Sequence, residues 1–247
     1  SEILRYTWLK EDQALDHRGA AGDDIFTQVC NAEHDEGRKL SDQEIIDHMN
    51  FLMMAAHDTL TSSLTSTIYM LAKHGDWQQR VREEILALRA EVGAELPYER
   101  LDDLQYTEMA FKEALRIIPP VPSIPRRAVK DFEFGGFRFK AGMHFNASPM
   151  ITHRLPEIWP EPEQFDPLRF TTQNSRGRHK YAWVPFGGGA HMCLGLHFAY
   201  LQAKAFLFEL LSQHEVTLAP GYRVDLQMFP IPKPRDGLPV TLTRIAA

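Results

Sequence analysis

A helix that is apolar or small most of the way round its circumference has to be buried, and one such helix dominates this sequence. From Ser41 to about Lys73 the chain reads SDQEIIDHMNFLMMAAHDTLTSSLTSTIYMLAK. Ser41, followed three residues later by Glu44, is a capping-box pattern that marks a helix start. At 1.5 Å per residue the helix spans roughly 45–50 Å. Between Phe51 and Met70 its apolar and small residues leave no broad polar face, so the helix is expected to cross the interior of the protein. Its longest uninterrupted apolar run, Phe51 to Ala56, falls far short of the roughly 20 residues needed to span a bilayer, and no membrane segment is expected.

The rest of the chain is read around this element. Trp77 to about Val92 is an amphipathic helix, and Tyr106 to Ile117 is another, stopped by Pro119 and Pro120. Beyond PPVPSIP, the stretch DFEFGGFRFKAGMHFNAS alternates around Gly135–Gly136 as a hairpin does. Residues 154 to 192, rich in Pro, Gly, Asn and aromatics, read as a long loop, which a compact domain tolerates only for function or through dense side-chain packing. A fourth strong helix follows from Leu194 to His214, and Val216 to Arg244 alternates as short strands. The class expected is mainly α with a minor β-sheet.

Among its 247 residues, 44% are hydrophobic and 24% charged, an ordinary globular profile with one large core or two lobes. A net charge of −6, with Lys and Arg scattered, shows no nucleic-acid footprint and favours a small-molecule partner. The opening SEILRYTWLKEDQ has no basic segment leading into an apolar core, so no leader peptide is expected. Two cysteines, Cys30 and Cys193, give no disulfide framework; a reducing, cytoplasmic setting fits.

Cys193 stands in FGGGAHMCLG, Phe186 to Gly195, after three glycines and at the mouth of a helix. Glycine lets a backbone approach a flat ligand closely and accepts positive φ. The helix start adds unpaired N–H groups and a positive dipole end, surroundings that suit an anionic sulfur ligand. Two other readings stand beside this one. The first is a buried free cysteine in a glycine-rich turn. The second is a zinc site using His191, Cys193 and His197, although tetrahedral structural zinc usually takes four ligands from two spaced pairs.

The segment resembles the haem-ligand signature of the cytochrome P450 family: Phe, Gly, any, Gly, any, Arg or His, any, Cys, any, Gly. All six specified positions are met. The resemblance implies a haem b cofactor (iron protoporphyrin IX) with Cys193 as its axial thiolate. It further implies that Phe186 packs beside the sulfur, that Gly187 and Gly195 belong to the haem-binding loop, and that His191 contacts a propionate. A thiolate ligand pushes electron density onto iron and favours O–O cleavage.

Other segments resemble the family in the same order along the chain. Glu113 and Arg116 (EALR) alone would be an everyday helix ion pair contributing roughly 0.2–0.5 kcal/mol. They resemble the family's Glu-x-x-Arg motif, and PEQFDPLRF resembles the segment supplying a third partner, here Arg169. A structural ionic cluster is implied. AAHDTLTS, midway along the long helix, is similar to the oxygen-activation segment, in which an acid–alcohol pair, here Asp58 and Thr59, relays protons. Burial of both within an apolar helix would be costly without partners or a function. Ala56 and His57 depart from the commoner residues there. Arg126 matches the usual propionate-binding arginine, with Arg127 as the competing choice. Met54, Ala55, Val121, Pro122, Ser123, Met228 and Phe229 fall in segments similar to substrate-contact regions, implying a hydrophobic substrate.

This resemblance runs from about Asp24 to the C-terminus and covers only the C-terminal portion of family members, which are commonly much longer. It implies that residues 1–247 form the haem-binding catalytic portion of a P450-fold domain, with 41–73 as its central helix and 154–195 as the loop and haem-ligand segment; the N-terminal part is expected to be absent. Two functions follow. One is a monooxygenase using dioxygen and an electron-donor protein, a ferredoxin or flavoprotein reductase. The other is a truncated, non-catalytic haem-binding remnant.

Overall fold

The computed structural model describes Gly22 and residues 24–245. The leader-peptide expectation concerns residues outside these. The described residues fall into two compact units divided between Asp58 and Thr59, inside the long helix.

In the first unit, α1 (Ile25–Asn31) is capped by Asp24, whose carboxylate accepts from the Thr27 N–H at 2.9 Å and from its hydroxyl at 2.6 Å. Cys30, Leu40 and Ile45 form its small core. The long helix α2 spans Asp42–Lys73. Its capping box closes both ways: the Ser41 N–H donates to Glu44 Oε2 at 2.8 Å, and the Glu44 N–H donates to Ser41 Oγ at 3.3 Å. Bonds from Arg38 and Ser41 hold the Glu44 carboxyl well below the usual carboxylate range.

Continuous burial of α2 does not hold. Ile45, Ile46 and Met49 are buried, as are Ser62, Ser63, Ser66, Thr67, Tyr69, Met70 and Leu71, but Phe51, Met53 and Met54 are exposed, Met54 by 67%. The physical reason is that each end of the helix belongs to the core of its own unit, and the middle belongs to neither. Beyond Thr59, small hydroxyl residues line the buried side and bond carbonyls instead of water. Ser62 Oγ donates to the Pro232 carbonyl at 2.6 Å, and Thr67 Oγ1 to that of Ser63 at 2.8 Å.

The second unit is built on α3 (Gly75–Val92), a 3₁₀ turn at Tyr98–Asp103 and α4 (Gln105–Ile117). Thr107, Ala110, Phe111, Ala114 and Leu115 recur at helical spacing on α4, which gives it a strongly one-sided apolar face. Short strands follow: β1 (Ile124–Arg127), β2 (Phe132–Phe134), β3 (Phe137–Phe139) and β4 (His144–Ala147). The β2–β3 hairpin pairs Phe132 with Phe139, and Gly135 and Gly136 both adopt positive φ in its turn. Next come α5 (Pro149–Thr152), α6 (Thr172–Ser175) and α7 (Leu196–Gln213), then β5 (His214–Leu218), β6 (Leu226–Gln227), β7 (Lys233–Pro234) and β8 (Val240–Arg244).

Among the described residues the named strands pair as four antiparallel ladders, β1–β4, β2–β3, β5–β8 and β6–β7. The core of this unit joins Val81 and Ile85 of α3, Ala110 and Ala114 of α4, Leu207 and Phe208 of α7, and Tyr69 and Leu71 of α2. Fully burying one of the larger of these, such as Ile85 or Leu207, contributes about 1.5–3 kcal/mol. No helix among the described residues is long and apolar enough to cross a membrane.

Candidate functional site

The cysteine loop is held by its own backbone. The Cys193 N–H donates to the Phe186 carbonyl at 2.9 Å, and the Met192 N–H donates to that of Gly189 at 3.1 Å. Gly187 and Gly189 sit at φ +72° and +74°, which disfavours any side chain there. Gly188 is constrained differently: a Cβ on it would lie 2.9 Å from the Tyr181 ring. Sequence reasoning counted Gly188 among the three glycines but could not find this reason for it, because a steric limit set by a residue seven positions away leaves no pattern.

Phe186 stands in a chain of rings running from Trp183 (5.9 Å between centroids) through Phe186 to Tyr200 (5.8 Å) and Phe111 (5.7 Å), which ties the loop to α4 and α7. Trp183 Nε1 donates to the Lys112 carbonyl at 3.2 Å. Gly195 caps α7, and a Cβ on it would sit 3.8 Å from Cys193 Sγ.

The reading of Cys193 as a buried thiol fails: it is exposed. Around it in sequence, Met192, Leu194 and Phe198 are also exposed, Leu194 by 92%. The backbone turns needed to close the loop bring these side chains outward. A soft donor with an apolar surround is the donor set that a flat, largely apolar ring carrying a soft metal requires. Side chains suited to bond that ring's carboxylates also stand open. His191 is exposed on a 3₁₀ turn, and Arg126 is exposed on β1, where its Nη1 donates only to the neighbouring Pro125 carbonyl at 2.9 Å. Among the described residues, His191, Arg126 and Arg127 form no ion pair with a carboxylate.

Behind the loop, Glu113, Arg116 and Arg169 come together. Arg116 grips Glu113 bidentately, Nε to Oε2 at 2.6 Å and Nη2 to Oε1 at 2.9 Å, with both residues fully buried. Arg169 Nε approaches Glu113 Oε1 at 3.3 Å, and the Asp166 N–H donates to the same oxygen at 3.0 Å. Arg116 also donates to the carbonyls of His153 (2.8 Å) and Gln164 (3.1 Å), and Arg154 to that of Ile117 (2.7 Å). Burial pushes the Glu113 carboxyl up, against the opposing pull of Arg116, the Asp166 N–H and Arg169. The cluster therefore fastens the long loop by its backbone carbonyls.

Sequence reasoning missed His153, since a lone histidine in a loop carries no pattern. It is fully buried, its Nδ1 faces the Arg116 carbonyl at 3.2 Å, and its Nε2 accepts from the Val184 N–H at 2.9 Å. This fixes the neutral tautomer with the proton on Nδ1. Burial holds its pKa down at about 4. In the unfolded chain a histidine protonates near pH 6.5, so between about 6.5 and 4 the unfolded state binds the extra proton. Stability is full above this window and falls as pH drops through it, by about 3 kcal/mol in all. Urea midpoints measured across the window should fall steeply for the parent chain and less steeply for His153→Gln; equal slopes would contradict the assignment.

On α2, Met54, Ala55 and Asp58 are exposed and Thr59 is half-buried. The burial argument for Asp58 is thereby corrected: its side chain is 62% exposed and its Oδ1 lies 2.8 Å from His57 Nδ1. Because the middle of α2 is in neither core, the carboxylate meets water and a neighbour rather than a desolvation penalty. The Thr59 carbonyl accepts from Ser63 Oγ at 2.7 Å. Val121, Pro122 and Ser123 lie between α4 and β1, where the Pro122 carbonyl accepts from Ser148 Oγ at 3.0 Å. Met228 and Phe229 follow β6, and Phe229 is 83% exposed.

A family model described as Cytochrome P450 matches residues 7–238. The chain is 42% identical to cytochrome P450 136 of Mycobacterium tuberculosis over 92% of its own length and 46% of the relative's. It is 33% identical to human cytochrome P450 4X1 over 90% of its length and 44% of that protein. The solved retinoic-acid-bound cyanobacterial CYP120A1 superposes with a TM-score of 0.89 at 36% identity, covering 97% of this chain and 55% of that one. The chain thus spans about half the length of the curated relatives it matches.

Proposed function

Because the chain belongs to the cytochrome P450 family, which implies a haem cofactor, we propose that residues 1–247 are the haem-binding catalytic portion of a haem-thiolate monooxygenase, with Cys193 as the ligand of a haem b iron. The observation that carries this reading is the exposed Cys193 thiol, set at the mouth of α7 by the Phe186 carbonyl and three glycines. When bound, such a haem supplies activation of dioxygen. One oxygen atom enters a C–H bond and the other leaves as water, with a pair of electrons and a pair of protons taken up. The electrons come from a ferredoxin or flavoprotein reductase.

Within this scheme Arg126 and His191 neutralise propionates that would otherwise be half-buried and unpaired. Phe186 packs beside the sulfur, and Gly187 and Gly195 keep side chains off the ring. Glu113, Arg116 and Arg169 hold the loop without touching the reaction. Met54, Ala55, Val121, Pro122, Ser123, Met228 and Phe229 supply a largely apolar wall, which fits a hydrophobic small-molecule substrate; the retinoic acid bound by the cyanobacterial neighbour is of that kind. The cysteine usage fits a cytoplasmic setting.

The test of the reading is the carbon monoxide difference spectrum of the reduced, haem-reconstituted protein, which should show the red-shifted Soret band of thiolate ligation. Turnover with surrogate electron donors then separates an enzyme from a non-catalytic haem-binding form. Asp58 and Thr59 are assigned to proton delivery, an assignment that rests on their likeness to the family segment. Thr59→Ala should keep the haem spectrum and electron consumption while the share of electrons ending in oxygenated product falls severalfold and peroxide appears. Full coupling in Thr59→Ala would leave Thr59 as a helix residue only.

A further inference from the structure

The cluster around Glu113 holds more positive charge than negative. One fully buried carboxylate faces the guanidiniums of Arg116 and Arg169, and a third guanidinium joins them: Arg178 lies 4.1 Å from the Trp159 ring centroid, and Arg116 stands 5.4 Å from the same ring. Arg178 Nη2 donates to the carbonyls of Arg169 at 2.8 Å and Asn174 at 3.1 Å. No carboxylate lies within ion-pair reach of Arg178 or Arg176 among the described residues. Partly buried positive charge without a counter-ion is costly.

Beside this surplus is a cavity of about 490 Å³, lined by Arg169, Arg176, Arg178 and His179 together with Glu157 and Asp166. Asp166 caps the following turn through the Leu168 N–H at 3.1 Å, and with Glu157 it sets two carboxyl groups against the three guanidiniums of the lining. Gly177, at φ +78°, sits in the turn closed by the Arg178 N–H on the Ser175 carbonyl at 3.1 Å and lets Arg176 and Arg178 line the same cavity. His179 Nδ1 accepts from the Tyr181 N–H at 3.2 Å, which leaves its proton on Nε2 as a further donor.

We propose that this cavity is an oxyanion site that takes a phosphate group, either as the free ion or as a phosphate monoester, gripped by Arg176, Arg178 and His179. Planar guanidiniums bond phosphate oxygens bidentately, and the bound anion would balance the surplus charge behind it. Burial lowers the Arg178 pKa; Glu113 counteracts this, while Arg169 and Arg116 lower it further, as expected beside an excess of positive charge. The site is separate from the cysteine loop and does not depend on the monooxygenase reading.

Isothermal titration of the chain with inorganic phosphate and with glycerol 3-phosphate, at constant ionic strength set by chloride, tests it. Saturable binding of at least one, weakened about tenfold or more in Arg176→Gln, is expected. Arg176 is exposed and outside the buried cluster, so this variant keeps the fold where Arg178→Gln could lose it. Tighter binding of inorganic phosphate assigns the site to the free ion, and tighter binding of the monoester assigns it to a phosphorylated small molecule. Absence of saturable binding, or binding unchanged in Arg176→Gln, would overturn the proposal.

Discussion

Arg116→Ala is expected to destabilise the second unit by roughly 3–5 kcal/mol, the cost of stranding a buried charge. That is a large share of the 5–15 kcal/mol typical of a whole domain, so outright unfolding is a natural outcome. Both Arg116 and Glu113 are fully buried, and the variant would leave the Glu113 carboxylate with Arg169 at 3.3 Å and one N–H as partners. It would also release the His153 and Gln164 carbonyls. Arg116→Lys should recover only part of the loss, since an ammonium cannot form the paired bonds. Removing Glu113 and Arg116 together should cost less than the sum of the single changes, because each single change leaves the other charge unpaired. Denaturant midpoints measure all four variants; mild, additive losses would mean that the cluster behaves as a surface ion pair.

Cys193→Ser is expected to abolish the thiolate-type Soret band of the reduced, carbon-monoxide-bound protein while leaving the far-ultraviolet dichroism unchanged. These two outcomes separate because the Cys193 side chain is exposed, whereas its backbone N–H, bonded to the Phe186 carbonyl, is kept by any residue other than proline. Cys193→His would supply a nitrogen ligand and a differently placed band. A spectrum indifferent to both substitutions would remove Cys193 from the iron.

The parts of this fold legible in the sequence are those written in local rules. The Ser41–Glu44 capping box, the one-sided face of α4 and the Gly135–Gly136 hairpin each depend on residues a few positions apart, and each forms where that spacing places it. Glu113 and Arg116 lie one helical turn apart, so their meeting is local too; Arg169 joins them from 53 positions beyond Arg116 (169 − 116), and only the likeness to a family segment pointed to it. Long-range facts were not legible. The exposed middle of α2 follows from how the units divide the helix, which side-chain character alone does not encode. His153 and Arg178 act through carbonyls and rings brought near by the fold, and Gly188 is fixed by the Tyr181 ring.

Many of the bonds that hold the long loop run from guanidinium side chains to its main-chain carbonyls: Arg116 to those of His153 and Gln164, Arg169 to that of Glu161, and Arg178 to those of Arg169 and Asn174. A carbonyl is the same group whichever residue carries it. Two of these three arginines, Arg169 and Arg178, belong to the loop itself, as do the buried Trp159 and the Trp183 ring, so the anchoring is indifferent only to the residues that contribute a bare carbonyl, and those are free to drift in composition over evolutionary time. What it cannot absorb is a change of length between anchors, because an inserted or deleted residue moves every later carbonyl out of phase with its guanidinium.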